Sequence, residues 1–145
     1  MNLLRIVLAG LGGFLAYFIV GGPSFVLFPS LKTEFLKYPA VYRSPQGQVS
    51  HLPAGMAAML VSIMALAVIY AKMCPGISGI AATARSGAIF GALIGVFVTG
   101  AFVLHNYVNL NIGLKLTVQQ AVAYFLEWIV TCTVIGLIYK PLAPH

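Results

Sequence analysis

The sequence predicts an all-α protein, a polytopic four-helix transmembrane bundle in a single domain, 1–145. Two observations carry that prediction. Of the 145 residues 61% are hydrophobic and 7% charged, with a mean hydropathy of +1.00, so there is too little polar side chain to cover a soluble domain. The apolar residues also fall into four stretches, 3–28, 54–73, 88–108 and 116–139, each close to the roughly 20 residues that cross a bilayer core. Helices suit such stretches because each satisfies its own backbone donors and acceptors without water.

In the first stretch, Arg5 precedes an apolar run in the manner of a signal peptide. No small-x-small cleavage site follows, so the segment is expected to stay as a helix. Gly21, Gly22 and Pro23 interrupt its far end, where Pro23 is expected to kink or end the helix and let 25–28 bend into the interface. The connection 29–53 contains four prolines mixed with lysines and aromatic residues. It is long for so small a bundle, which suits a functional or interfacial segment as well as a plain surface loop.

The second stretch carries Ala54, Ala58 and Ser62 at steps of four, and the first pairs Ala9 with Gly13 and Gly12 with Ala16. Residues 76–79 read as a turn. The third stretch has the longest such face, Gly87, Gly91, Gly95 and Thr99. Lipid tails are as apolar as leucine, so membrane helices associate by close backbone approach, which small residues permit. This face is expected to pack a helix, either of the same chain or of a second copy or partner subunit.

The fourth stretch spans roughly 36 Å as a helix, with Glu127 near its centre. Thr117, Gln120, Tyr124, Glu127 and Thr131 recur at steps of three and four, which places all five on one face. An ionisable residue at that depth points to a functional or carefully packed site. Ser62 and Thr99 are expected near its level and Tyr17 about a turn away, with no basic side chain in reach. A lone carboxylate in hydrocarbon takes up a proton, so Glu127 is expected neutral unless a partner supplies a cation or water.

The formal charge of +6 comes from eight basic residues against Glu34 and Glu127. Those charges flank the stretches, which suits lipid headgroups rather than nucleic acid. Arg5, Lys72, Arg85 and Lys140 fall on the side of the termini and Lys32, Lys37, Arg43 and Lys115 on the other, an even division. Because the first four sit tight against helix ends, the termini are expected to be cytoplasmic. Tyr70 and Tyr139 on one side, with Tyr38, Tyr42 and Tyr107 on the other, read as interfacial belts.

On the side away from the termini, His105, Asn106, Tyr107, Asn109 and Asn111 lead towards Gln119 and Gln120, and His51 lies at the same level. His105 is expected to hydrogen-bond a glutamine there; the alternative is that His51 or His105 ligates a haem or pigment. Cys74 and Cys132 form no C-x-x-C and read as buried small apolar residues. No metal set, nucleophile with base, or phosphate-binding loop is present, so no self-contained enzyme is expected.

The segment from Arg85 through SGAIFGALIGVFVTGAFVLHNYVNLNIGLKL, with the ending VIGLIYKP, resembles a family of small, uncharacterised bacterial four-helix inner-membrane proteins, a domain of unknown function. The likeness covers the helical layout, including the glycine and proline break and the long first connection. It implies a multi-pass protein of the bacterial inner (cytoplasmic) membrane and carries over no activity or site residues. Together these readings lead to a non-enzymatic accessory subunit of a larger bacterial membrane complex of electron transport or photosynthesis, packed through the glycine face and the polar stripe. The alternative is a small oligomeric transporter in which Glu127 couples to protons or cations.

Overall fold

Each long apolar stretch folds as a helix, and the helices, antiparallel in sequence order, bring Ile6 and Tyr139 into one cluster on the same side. The computed structural model describes residues 2–27, 29–74, 77 and 79–139, without the side chains of 22–27, 29 and 32. The helices are α1 (Leu3–Leu27), a short α2 (Pro29–Leu36), α3 (Pro45–Met73), α4 (Ile80–Val98), α5 (His105–Asn109) and α6 (Leu114–Tyr139). A π-helical turn, Thr99–Leu104, joins α4 to α5 without a break in the rod. Four of the resulting rods are long and apolar enough to cross a membrane, Leu3–Gly21, Pro45–Met73, Ile80–Asn109 and Leu114–Tyr139. No strand occurs among the described residues.

Three boundaries differ from the sequence reading. Pro23 does not end the first helix, since α1 continues to Leu27; Phe28 lies outside the described residues. The connection 29–53 is shorter than expected, because α2 occupies its start and α3 begins at Pro45. Ser44 caps α3 by accepting a hydrogen bond from the Gly47 amide at 3.2 Å. Pro45 follows at the first helical position, where its missing N–H leaves nothing unsatisfied, so a proline that reads as a loop residue is a helix start. The third rod begins at Ile80 rather than 88, released by Gly79 at φ 90°, a backbone conformation that favours glycine. Of the turn expected at 76–79, residues 76 and 78 lie outside the described set, as does Lys140.

The hub is α6, which packs against α4, α1 and α3, while α1 also packs α3. The closest seam is the glycine face of α4. A Cβ on Gly87 would stand 2.5 Å from the Cys132 carbonyl oxygen, and one on Gly91 2.5 Å from that of Trp128. A Cβ on Gly95 would meet the Phe125 ring at 2.8 Å. The glycine face is thus consumed inside the chain, and the expectation that it binds a partner subunit is corrected. Only the intrachain alternative fits contacts this close.

On the terminal side all four rods converge on one core of Ile6, Ala9, Ile63, Ala67, Tyr70, Phe90, Cys132, Ile135 and Tyr139. Tyr70 and Tyr139 were expected in an interfacial belt. Both are instead buried, with rings edge-on 6.2 Å apart, and the Tyr70 hydroxyl donates to the Thr83 carbonyl at 3.4 Å. On the far side α3 draws away, and its residues from Pro45 to Ala58 are exposed apart from the partly covered Gly47. A smaller cluster of Leu31, Ile112 and Leu116, flanked by Phe35, Tyr38 and Tyr42, fixes α2 over the start of α6.

Candidate functional site

Thr117, Gln120, Glu127 and Thr131 lie on the covered face of α6, and Tyr124 is half-buried between them. Helical spacing alone brings the five into one row. What covers the row changes along its length. At mid-span the neighbour is α1: Tyr17 faces Glu127, and a Cβ on Gly21 would lie 3.5 Å from Glu127 Oε1. Ala9, Gly13, Tyr17 and Gly21 sit at steps of four on α1. The glycines at either side let its backbone close on α6 while Tyr17 spans the remaining gap to the carboxyl and touches Trp128, ring centroids 5.4 Å apart.

Neither polar residue expected at this depth holds Glu127. Ser62 is exposed and donates to the Ala58 carbonyl of its own helix at 2.9 Å. The Thr99 hydroxyl is buried without a hydrogen-bond partner among the described residues. Thr131, one turn beyond Glu127, is fully buried and its hydroxyl likewise has none among the described residues, whereas buried polar atoms are ordinarily paired.

Towards the far side the stripe meets α2 and the turn after it. Gln119 donates to Ser30 Oγ at 2.7 Å and Gln120 to the Tyr42 hydroxyl at 3.4 Å. The Tyr38 hydroxyl accepts from the Gly113 amide at 2.8 Å, and Thr117 donates to the Gly113 carbonyl at 3.1 Å. Tyr38 and Tyr42 are therefore clamps on α6 rather than a lipid-facing belt. Glu34 completes the clamp: its Oε1 receives Lys37 Nζ at 2.8 Å and Lys115 Nζ at 3.2 Å. Sequence reasoning passed over Glu34. The i,i+3 spacing to Lys37 was visible, whereas Lys115 arrives from a remote segment.

The Lys37 hydrogen bond, with a smaller one from Lys115, holds the Glu34 carboxyl below its ordinary value of 4.5, against burial, which acts the other way. A depressed value means that the ionised form favours the folded state. That contribution is complete above the ordinary carboxylate range and fades as the pH falls from about 4.5 through the folded value. Acidification through that window is expected to loosen α2 from α6, read as faster deuterium exchange at the Gly113 amide. Glu34→Gln removes this pH dependence; an unchanged profile in the variant would contradict the clamp.

The two histidines among the described residues, His51 and His105, are both exposed. His105 is exposed and meets neither Gln119 nor Gln120, whose donors go to Ser30 and Tyr42, so the expected bond is absent. Its carbonyl accepts from Asn109 Nδ2 at 2.9 Å. His51 is exposed on α3, with Nδ1 2.9 Å from the Gly47 carbonyl and 3.0 Å from Ser50 Oγ. No three His, Cys, Asp or Glu side chains among the described residues are grouped as metal ligands would be. Cys74 and Cys132 are free, and Cys132 is buried in the α4–α6 seam.

Between the turn after α2, the start of α3 and α6 lies a cavity of about 470 Å³. Its walls include Phe35, Val41, Arg43, Gln48, Gln120 and Tyr124. The upper polar stripe thus opens on a partly apolar vestibule, which the sequence reading, having placed 29–53 in a loop, had no means to assemble. No protein-family model matches the chain, and neither a curated protein nor a solved structure matches it.

Proposed function

We propose that this chain is a non-enzymatic, multi-pass subunit of a larger bacterial membrane assembly, docked through the outward face of α3. The observation that supports this reading is the poor cover of that helix. Only 11% of the apolar window of Pro45–Met73 is buried within the chain, against 28%, 28% and 39% for the other three spans. Ala54, Ala58 and Ser62, at steps of four, are all exposed, and small residues at that interval let another transmembrane helix approach closely.

The test is mild-detergent purification from native membranes with mass spectrometric identification of whatever co-elutes. Wild type is expected to bring stoichiometric membrane partners. Ala58→Leu, which adds bulk where the chain itself has little packing, is expected to stay folded and lose those partners by about tenfold. A lone wild-type protein, or a variant that retains its partners, would overturn the reading.

A second reading, a small oligomeric transporter with Glu127 as the coupling group, draws on one observation, the burial of that carboxyl at mid-span beside Tyr17. One carboxyl and four spans are thin for alternating access by a monomer, so this reading also requires association.

A further inference from the structure

We propose that the cavity above α6 is the headgroup seat of an anionic phospholipid, one of whose acyl chains lies in a wedge between α3 and α6. This does not depend on the docking of α3, since the wedge lies on the face of α3 turned towards α6 and the docking surface on the outward one.

The wedge is visible in the cover along a single face of α3. Gln48, Leu52, Met56, Met59 and Ile63 recur at steps of three and four. Ile63 is fully buried and Met59 packs on the core. One turn further, Met56 is 38% exposed, and beyond it Leu52 is 52% exposed. A Cβ on Gly55, beside them, would meet nothing within 4 Å. The same face therefore passes from sealed to open over three turns, from Ile63 to Leu52, towards the cavity that Gln48 of α3 and Gln120 of α6 both line. Inside a bilayer, apolar space of that kind is filled by hydrocarbon rather than water.

Gln48, at the open end of that face, lines the cavity, and so does Arg43. The chain has only two acidic residues. Glu34 is engaged by Lys37 and Lys115, and Arg43 makes no ion pair among the described residues. A guanidinium presents paired donors that match phosphate. Gln120 and Tyr124 bring further polar groups to the same walls, while Phe35 and Val41 supply apolar ones. A lone guanidinium above an apolar cleft is matched by a molecule with an anionic head and a hydrocarbon tail. A soluble anion makes no use of the cleft, and a neutral lipid leaves the charge without a partner.

The experiment uses the full chain, purified and delipidated in detergent, with native mass spectrometry of bound lipid. Phosphatidylglycerol and phosphatidylcholine are titrated separately, and inorganic phosphate is then added as competitor. One phosphatidylglycerol per chain is expected, bound at least about fivefold more tightly than phosphatidylcholine, the scale of one basic residue meeting an anionic lipid. Arg43 is exposed, so Arg43→Gln is expected to fold and to lose the preference, while Lys72→Gln on the opposite side keeps it. Equal binding of the two lipids by wild type would overturn the proposal. So would a preference that survives Arg43→Gln, or one lost equally in Lys72→Gln. Displacement of phosphatidylglycerol by millimolar phosphate would also overturn it, by making the seat a soluble-anion site.

Discussion

Gly91→Leu is expected to prevent the bundle from assembling rather than to detach an assembled protein from a partner. A Cβ at this position would already stand 2.5 Å from the Trp128 carbonyl oxygen and 2.8 Å from Ile129 Cα. Both are backbone atoms of a helix held on two further sides, so no side-chain rotation relieves the overlap. Even Gly91→Ala forces α4 and α6 apart, at a cost of about 1–3 kcal/mol. The leucine is expected to cost more than about 4 kcal/mol, in the range reserved for overpacked cores. Titration with a denaturing detergent, followed by circular dichroism and by the fluorescence of Trp128, the single tryptophan, measures it. A leucine variant that unfolds at the wild-type midpoint would refute the seam. For the same reason Gly91 is unsuited to testing partner binding, and Ala58 is the position to use.

The second large effect is expected at Glu127, and the choice of replacement separates packing from proton chemistry. Glu127→Leu leaves the Tyr17 hydroxyl facing an apolar side chain deep in the protein, a loss of about 1–3 kcal/mol. Glu127→Gln keeps the size and one acceptor oxygen and is expected to fold with a loss of under about 1 kcal/mol. A double-mutant cycle with Tyr17→Phe isolates the pair, and a coupling of about 1 kcal/mol is expected at this depth. The stable glutamine variant then decides between the two functional readings. In proteoliposomes a transporter that cycles a proton through this carboxyl would lose coupled uptake with Glu127→Gln, whereas a docked subunit would keep its partners. Coupled uptake that persists in the glutamine variant would exclude Glu127 as the coupling group.

Much of the architecture was readable from residue type and interval. The four apolar stretches became four spans, and the polar row on α6 became a covered face, because hydrocarbon tolerates neither an unpaired backbone nor an uncovered carboxyl. The interval Ala9, Gly13, Tyr17, Gly21 contained a neighbour of Glu127, but a tyrosine between glycines signals nothing until the opposing helix is known. The helix start at Pro45 was hidden because its signal, a serine cap followed by proline, lies in a polar segment that apolar counting passes over. The vestibule was out of reach for a different reason. It is assembled from α2, the start of α3 and the middle of α6, and only the tertiary approach of these segments makes one place of them. Tyr70 and Tyr139 misled because tyrosine near a helix end fits an interface and a core equally well, and the converging rods decided for the core.

The π-helical turn after α4 has a consequence for how that rod is aimed. Along α4 the residues facing α6, Gly87, Gly91, Gly95 and Thr99, advance by steps of four, and the same step next reaches Val103, which is 3% exposed, while Phe102 is 56% exposed. Steps of four drift round an α-helix of about 3.6 residues per turn, and the wider winding of the π-helical turn brings Val103 back into line with Thr99. The turn thus acts as a phase shifter between two lengths of helix. The glycine seam below it keeps one angular setting, and His105–Asn109 above it takes another, so the polar end of the rod is oriented without any adjustment to the seam. A chain that needed its far end turned differently would have to change only the winding of these six residues, Thr99–Leu104.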